Sequence, residues 1–550
     1  MTKHELELEN ALLGQLKITK DDLKTWNDDM YLMDSQTVYR FWQYIENAPA
    51  VAIVGDYDCD GICASYILGA AIKSKFPGKR TSIRIPKRKA EGYGLNPAIA
   101  DEFINGTPAT DKRAAYPPLP KDSLVITVDN GIAAAPVLEQ LQNAGFKVIV
   151  TDHHELGTNK LPKVDMIMDP AVDGICDAFN GRYWCGAAIA YKLSEQVIPM
   201  ELADKLAVYA GLATIADCMP LKEGNWGLVK KAIRSFREKT SPEPLNQLLL
   251  GMRQQPEYAN AETFGFYLGP AFNAAGRLHD DGPKLILSYL FKPDQEKCDR
   301  IISYNETRKK LRDAEYEKVK EQIINTNQQN NCPIWVAVSG LHEGIVGILA
   351  GKATEEFGTP TIVLTESDEN PGILKGSARS IPGINIFEFL VKHSDLFTKF
   401  GGHEGAAGLS MPIENFEKAK QTQMPNNMRA LKQETPYMKI AQEEIPVLLP
   451  IVEEFSPYGE GNPVPHFAVD IDMISDGAEM FGSDKNHLKI DRTKDGYRII
   501  HFFHEPNELS DKGSFGLIGT ISLDGFRGAS FASFNADEAT DIHSDEEKTR

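Results

Sequence analysis

Three short apolar runs near the start of the chain set its architecture. VAIVG at 51–55, LVITV at 124–128 and KVIV at 147–150 are rich in Val and Ile, and each is followed by polar residues and then a plausible helix. Strand, polar turn and helix in repetition is the βαβ pattern of a parallel sheet. The first helix is expected over 61–74 (GICASYILGAAIKS), and the second begins near Ala133. Helical character returns over 186–236 and over 293–324, where Ile301, Leu311, Val319 and Ile323 are embedded in charge. The latter stretch reads as a long exposed connecting helix. It ends in NTNQQNN (325–331), a polar segment of linker character, and a second domain starts at IWVAVS (334–339). That domain continues through the helix GIVGILAGKATEEFG and the strand TIVLT (361–365) and ends near Pro412. After about residue 440 the texture becomes alternating strands: FAVDIDMIS, NHLKIDRT, YRIIHFFHE and SFGLIGTISLD. Their spacing predicts a small β-barrel or sandwich.

Composition narrows the class. At 550 residues the chain has room for several domains, and 42% hydrophobic with 25% charged residues is a globular composition that excludes disorder. No segment approaches the ~18 uninterrupted apolar residues of a membrane helix, and MTKHELELENALLGQLK has no apolar signal core, so a cytosolic protein is expected. Seven scattered cysteines without a CxxC pair argue against a disulfide framework and a zinc ribbon, and read as reduced, mostly buried thiols. The net charge of −19 opposes a nucleic-acid partner, but its distribution is uneven. Between Lys73 and Lys89 there are eight basic residues and no acidic one, whereas the last fifteen residues hold six acids. The basic block is either a solvated face or a phosphate-binding surface.

In open parallel sheets ligands gather outside the carboxyl ends of the strands, so the polar residues just past each apolar run carry the information. GDYDCDG places Asp56, Asp58 and Asp60 after the first strand, VDNG places Asp129 after the second, and TDHHE places Asp152, His153 and His154 after the third. ATIADCMPL presents Asp217 after a helix-like run. A single Asp after a strand is commonly a helix N-cap. Three strand ends with adjacent histidines are harder to explain in that way, because so many carboxylates on one edge would repel one another unless cations sat among them. Oxygen ligands with one or two imidazoles suit Mn²⁺ or Mg²⁺, and two such ions are a standard device for attack of water on phosphate. Cys59 and Cys218 flank these clusters and are expected to pack inward rather than bind metal.

GDYDCDG, VDNG, TDHHE and ADCMPL resemble the first four signature motifs of the DHH phosphoesterase superfamily. LGPAFNAAGRL (268–278), SGLHEGIVGILAGK (339–352), GSARSIPG (376–383) and FGGHEGAAGL (400–409) are similar in order and spacing to the bacterial RecJ single-strand exonucleases. PYGEGNPVPHF (457–467), HLKI (487–490) and DGFR near 524 resemble that family's oligonucleotide-binding barrel, so the likeness spans about residues 45 to 530. It implies an α/β fold: a parallel-sheet DHH domain and a second α/β domain joined by a long helix, plus a C-terminal OB-type β-barrel. The corresponding boundaries are an N-terminal helical segment at 1–44, the DHH domain at 45–240, a helical connector at 241–331, the second domain at 332–430, the barrel at 431–535 and an acidic tail at 536–550.

Residue roles follow from the resemblance. Asp58, Asp60, Asp129, His153 and Asp217 match the metal ligands of the catalytic centre, with Asp56 and His154 at its edge as further ligands or phosphate-orienting groups. Asp152 orients a histidine. Ser377, Arg379, Gly402 and His403 match the substrate-facing edge of the second domain, with Ser377 and Arg379 resembling an end-phosphate pocket across a narrow cleft from the metals. Arg88, Asn273 and Arg277 match substrate-binding positions, where arginine forks suit DNA phosphates. Lys489, Arg492 and Arg527 are candidate strand contacts on the barrel, or solvated surface charges. Two departures stand out: Cys59 replaces a small aliphatic residue, and Glu404 stands where a neutral residue is expected.

The implied activity is digestion of single-stranded DNA from the 5′ end to 5′-mononucleotides, with two Mn²⁺ or Mg²⁺ ions, in DNA repair and recombination. The expected protein is a cytoplasmic monomer that works beside a single-strand-binding protein and a helicase, with no membrane association. The alternatives are a phosphodiesterase for short oligonucleotides or cyclic dinucleotides, disfavoured by the barrel, and a non-catalytic DNA-binding replication scaffold, which would be expected to lose ligands.

Overall fold

Three helices open the chain, α1 (Lys3–Leu16), α2 (Lys20–Thr25) and α3 (Ser35–Asn47), and in the computed structural model they do not form a segment of their own. The structure describes residues 3–27, 33–88, 91–108, 115–157, 159–172, 183–424, 436–482, 486–502, 513–526 and 529–540. Leu8, Leu12 and Leu16 of α1 are buried in the C-terminal domain's core. Trp42 of α3 donates its indole N–H to the Leu193 carbonyl in the DHH region.

The expected parallel sheet contains β1 (Val51–Val54), β2 (Thr81–Arg84), β3 (Leu124–Val128), β4 (Lys147–Thr151) and β5 (Met166–Met168), in the order β2-β1-β3-β4-β5. All four pairings are parallel. β1 and β3 are buried at every position because both faces carry helices, which is why they read as unbroken apolar runs. On one face α5 (Pro97–Asn105) and α6 (Ala135–Asn143) bury Ile99, Phe103, Leu138 and Leu141 against Val54, Val125 and Val148. The other face meets α4 (Cys59–Lys75) and α7 (Gly186–Ser194). Behind them α8 (Met200–Ala216) packs on α9 (Glu223–Arg237) so closely that a Cβ on Gly211 would come 2.6 Å from that of Ala232.

The region expected as a connector is largely part of this body. It holds α10 (Glu243–Gly251), α11 (Gly269–Leu278) and α12 (Gly282–Phe291), and Phe291 meets Tyr66 of α4 edge to face at 4.9 Å. Residues up to Gly276, with Pro283–Asp299 and the C-terminal domain, form one compact unit; Arg277–Gly282 and Arg300–Glu434 form a second.

The long helix exists as α13 (Gln295–Asn325), but it is not simply an exposed connector. Its last turns bury Tyr316, Val319 and Ile323 against Ile334, Val336, Leu349 and Val363 of the second unit. The charges around these residues obscure a real apolar stripe. That unit's sheet is mixed, in the order β6-β7-β8-β10-β9: β6 (Ile334–Ala337), β7 (Thr361–Glu366), β8 (Ile373–Arg379), β9 (Lys399–His403) and β10 (Ala406–Pro412). It is accompanied by α14 (Val346–Phe357), α15 (Ile386–Lys392) and α16 (Phe416–Ala419).

The C-terminal domain places α17 (Ile445–Phe455) against a seven-stranded sheet of order β11-β12-β16-β17-β15-β14-β13. Its strands are β11 (Tyr437–Lys439), β12 (His466–Asp472), β13 (Glu479–Phe481), β14 (His487–Arg492), β15 (Tyr497–His501), β16 (Ser514–Phe526) and β17 (Ala529–Thr540). Among the described residues no ladder joins β11 to β13, so by its hydrogen bonds the expected barrel is an open sheet. β17 also corrects the tail boundary, because Asp537 and Glu538 are strand residues. Of the described cysteines, Cys59, Cys63, Cys185, Cys298 and Cys332 are buried; Cys218, expected to pack inward, is exposed because it follows the end of α8 in a left-handed turn. Among the described residues no helix is long and apolar enough to cross a membrane.

Candidate metal centre and substrate-binding residues

The chain diverges at β1 and β3: from β1 it runs outward through α4 to β2, and from β3 the other way to β4. The carboxyl ends of these strands therefore open a crevice at a topological switch point, the usual ligand position in such sheets. Into it the first loop brings Asp56, Asp58 and Asp60. Asp58 N-caps α4 by accepting from the Gly61 amide at 3.1 Å, so the N-cap reading holds for it alongside any other role. The glycines of the motif are obligatory: a Cβ on Gly55 would lie 2.1 Å from Ser65 Oγ, and one on Gly61 would lie 2.5 Å from the Asp56 amide nitrogen. Asp60 is buried, and each of its oxygens accepts a backbone N–H, from Gly186 and Ala187 at 2.7 Å. The first turn of α7 thus fixes the carboxylate while leaving lone pairs facing the crevice.

Asp129 follows β3 in a left-handed conformation, φ 61°, that turns its side chain inward. Beside it, Asn130 donates to the Val54 and Val128 carbonyls and accepts from the Leu95 amide, tying the ends of β1 and β3 together. After β4, Asp152 accepts from the amides of Ile132, His153 and His154 and from the ring Nδ1 of His154 at 2.7 Å. The histidine oriented by Asp152 is therefore His154. His153 Nε2 lies 3.0 Å from Asp129 Oδ1 and 3.6 Å from both Asp60 Oδ2 and Asp217 Oδ2. Asp217 arrives from the C-terminal end of α8.

Two overlapping sets of donors result: Asp60, His153 and Asp217, and Asp129, His153 and His154, each with ligand atoms within 4.8 Å of one another. Burial and neighbouring carboxylates push Asp58, Asp129 and Asp217 above the usual carboxylate range, and burial with Asp58 raises Asp56 to about 7. Burial keeps the His153 ring neutral, as a metal ligand must be. For His154 burial works the same way, but the Asp152 carboxylate outweighs it and holds the ring to about 9. Buried oxygens that cannot all ionise together, with a neutral imidazole among them, are a donor set that fits hard divalent cations.

Sequence reasoning missed Asp169, which follows the short β5 and is fully buried with Oδ2 unpartnered; burial and Asp152 raise it to about 7. Its signal was MIMDP, another apolar run ending in acid, but three residues long. Tyr57 and Tyr93 were missed as well. Their rings lie 5.6 Å apart, Tyr93 is exposed, and the Arg88 guanidinium sits 4.8 Å over Tyr57 with Nη1 unpartnered. Asn273, expected at the substrate, accepts from the Cys59 amide at 2.8 Å and so holds the first loop. Lys89, at the end of the basic block, lies outside the described residues.

In the second unit Arg379 Nη1 donates to Ser377 Oγ at 2.6 Å and to the Ala378 carbonyl. Among the described residues no carboxylate lies in ion-pair range of Arg379; burial and the nearby Arg277 lower its pKa, the signature of a cation short of a counter-charge. Gly347 leaves the space in front of it, where a Cβ would lie 2.8 Å from Arg379 Nη2. Gly402 and His403 end β9, with His403 exposed and accepting from the Gly405 amide; the Glu404 side chain is exposed beside it. On the C-terminal domain Lys489 pairs with Glu479 at 3.4 Å and Arg492 donates to the Asp476 carbonyl, while Arg527 lies outside the described residues.

Residues 50–216 match the DHH family, N-terminal domain; 331–423 match the DHHA1 domain; and 439–538 match the RecJ OB domain. The chain carries, in this order, segments that match the DHH, DHHA1 and RecJ OB domains. Over 461 residues it is 31% identical to the single-stranded-DNA-specific exonuclease RecJ of Bacillus subtilis, covering 82% of this chain and 56% of that protein. The chain thus spans little more than half of that relative's length. A crystal structure of RecJ from Thermus thermophilus in complex with Mn²⁺ superposes with a TM-score of 0.70 at 23% identity, over 97% of this chain and 78% of the other. A second structure, an exonuclease RecJ bound to manganese, gives 0.56 at 26% identity, over 70% and 93%.

Proposed function

We propose that the chain is a metal-dependent exonuclease that hydrolyses single-stranded DNA from the 5′ end and releases 5′-mononucleotides. The observation that carries this reading is the convergence on one crevice of two overlapping donor sets, Asp60 with His153 and Asp217, and Asp129 with His153 and His154, with Asp58 beside them. These residues would hold two divalent cations, Mn²⁺ or Mg²⁺; a RecJ relative at 26% identity is a manganese complex. When bound, such cations lower the pKa of an attacking water and neutralise charge on the phosphoryl oxygens.

The protein's own residues supply position. Amides at the start of α7 lock Asp60, and Asp152 locks His154, which stands at the edge either as a further ligand with its ring neutral or, protonated, as a donor to a phosphate oxygen. Arg88, held on Tyr57, adds a fixed positive charge on the same body, and Tyr93 an open ring for a base. Asp56 stands at the edge as a further ligand or orienting group. In the second unit Ser377 and Arg379 would take the terminal 5′ phosphate, with Arg277, Gly402 and His403 lining the strand's path. The C-terminal domain would track the strand further along through Lys489, Arg492 and Arg527. A cytoplasmic monomer supplied with single strands by a helicase and a single-strand-binding protein completes the proposal.

A time course on single strands labelled at the 5′ or the 3′ end tests it. Labelled mononucleotide is expected at once from the 5′-labelled strand with Mn²⁺, and nothing with EDTA. Release beginning at the 3′ label, or digestion in EDTA, would contradict the reading.

A further inference from the structure

We propose that the chain carries a second ligand site, separate from the carboxylate crevice, that takes a nucleoside polyphosphate. A cavity of about 690 Å³ lies where α9 meets the start of α8 and the end of α17, within the range of small-molecule pockets. Ala203 and Asp204 line it, and Asp217 caps the far end of α8, roughly 20 Å along the helix axis. The pocket is therefore not an extension of the metal centre.

Its character comes from one row of α9. Trp226, Lys230, Arg234 and Arg237 recur at helical spacing on a single face, with Lys231 beside them. The three cations of the row span roughly 10 Å, the scale of a polyphosphate chain. In a protein of net charge −19 such a row is a local exception.

The pairing of these cations separates scaffold from site. Lys231 pairs with Asp204 at 3.1 Å and Arg237 with Glu453 at 2.5 Å, which anchors the two ends of the wall. Lys230 has no carboxylate in ion-pair range among the described residues. Its ammonium sits 4.2 Å over the Trp226 ring and donates to the Glu454 carbonyl. Burial draws its pKa down to about 8 despite Glu454 and Glu453 nearby, so an anion beside it would restore its full charge. Arg234 is two-thirds exposed, and its one ion pair is a 3.7 Å contact to Glu238 in the next turn, of a kind worth little. An ammonium with no carboxylate partner among the described residues and an exposed guanidinium one turn further along the same helix are what adjacent phosphates require. Ile198, Met200 and Ala203, at and just before the start of α8, add apolar lining suited to a base and sugar, with Ile233 of α9. Most of the lining comes from helices, and no strand contributes to it, so there is no edge for an extended peptide to pair with.

The test is calorimetric titration of ATP into the full chain in EDTA, with inorganic tripolyphosphate, adenosine and an acidic hexapeptide as comparison probes. ATP is expected to bind one site, and Lys230→Met and Arg234→Ala each to weaken it by about tenfold or more while single-strand digestion with Mn²⁺ stays at the unmutated level. Asp129→Ala should leave ATP binding intact. Arg234 is exposed, so its variant decides the matter if Lys230→Met folds poorly. No ATP binding up to ~1 mM, binding that survives both substitutions, or binding lost in Asp129→Ala would overturn the site. Tripolyphosphate or the hexapeptide binding as tightly as ATP would overturn the ligand class.

Discussion

Gly186 packs directly on Asp129: a Cβ at Gly186 would lie 2.5 Å from the Cβ of Asp129 and 2.8 Å from its Cα. The same glycine donates its amide to Asp60, so one residue at the start of α7 sets two carboxylates of the crevice. Gly186→Ala must push Asp129 out of place, at a cost of about 1–3 kcal/mol for overpacking. The expected outcome is weaker Mn²⁺ binding in a protein that still folds, measured by titration and by circular dichroism. Unchanged metal affinity would show that the crevice tolerates the shift.

Asn273 offers a second route to the same loop. Asn273→Ala strips the Cys59 amide of its acceptor, and an unpaired buried donor costs about 1–3 kcal/mol. Both thermal stability and Mn²⁺ affinity should fall, and Asn273→Asp, which keeps an acceptor, should recover part of each. Loss of DNA binding with metal affinity intact would return Asn273 to a purely substrate-contacting role.

Much of this centre was legible because strand ends are marked in sequence: an apolar run stops, and the acids that follow are Asp56, Asp129 and Asp152. What was not legible depends on contacts between distant segments. Gly186 looks like any small residue opening a helix until Asp129 is placed against it. Asp169 follows a strand too short to stand out. The helix α1 falls in what reads as a separate N-terminal helical segment, yet its leucines complete a core whose other buried residues begin beyond position 436. In β17 the exposed Asp537 and Glu538 resemble a solvated tail, although they continue a strand whose Phe531 and Phe534 are buried.

Arg379 and Ser377 give the polarity proposal its handle. A charge-assisted bond to a terminal phosphate contributes about 1.5–3 kcal/mol. Single strands bearing a 5′ phosphate should be preferred over 5′-hydroxyl strands by roughly tenfold to a hundredfold, and Arg379→Ala should erase the preference. Competitive digestion of the two substrates measures it, and identical discrimination by both proteins would assign Arg379 to its own domain's structure.

Asp472 provides a pH signature for the C-terminal domain. The Ser475 amide, the Ser514 hydroxyl and the Ser475 hydroxyl hold its carboxyl down to about 2. A depressed carboxyl stabilises the fold above its unfolded value of 3.8, and that contribution is lost as pH falls toward 2. Acid unfolding of Asp472→Ala should therefore differ from the unmutated protein mainly by a lower baseline stability above pH 4, with the two curves converging toward pH 2. Curves that stay parallel would mean the carboxyl titrates normally.

Asp58, Asp60, Asp129, His153 and Asp217 would hold the two cations that hydrolysis requires, the Asp129 carboxylate being able to bridge both while His153 Nε2, shared by the two donor sets, binds one. The direct measurement is the number of Mn²⁺ ions bound per chain, set beside single-strand turnover, for the unmutated protein, Asp129→Ala and His153→Ala. Two ions with turnover are predicted for the first, and fewer ions with no turnover and unchanged circular dichroism for each variant. Near-normal turnover in either variant, or full turnover with no ion bound, would contradict it.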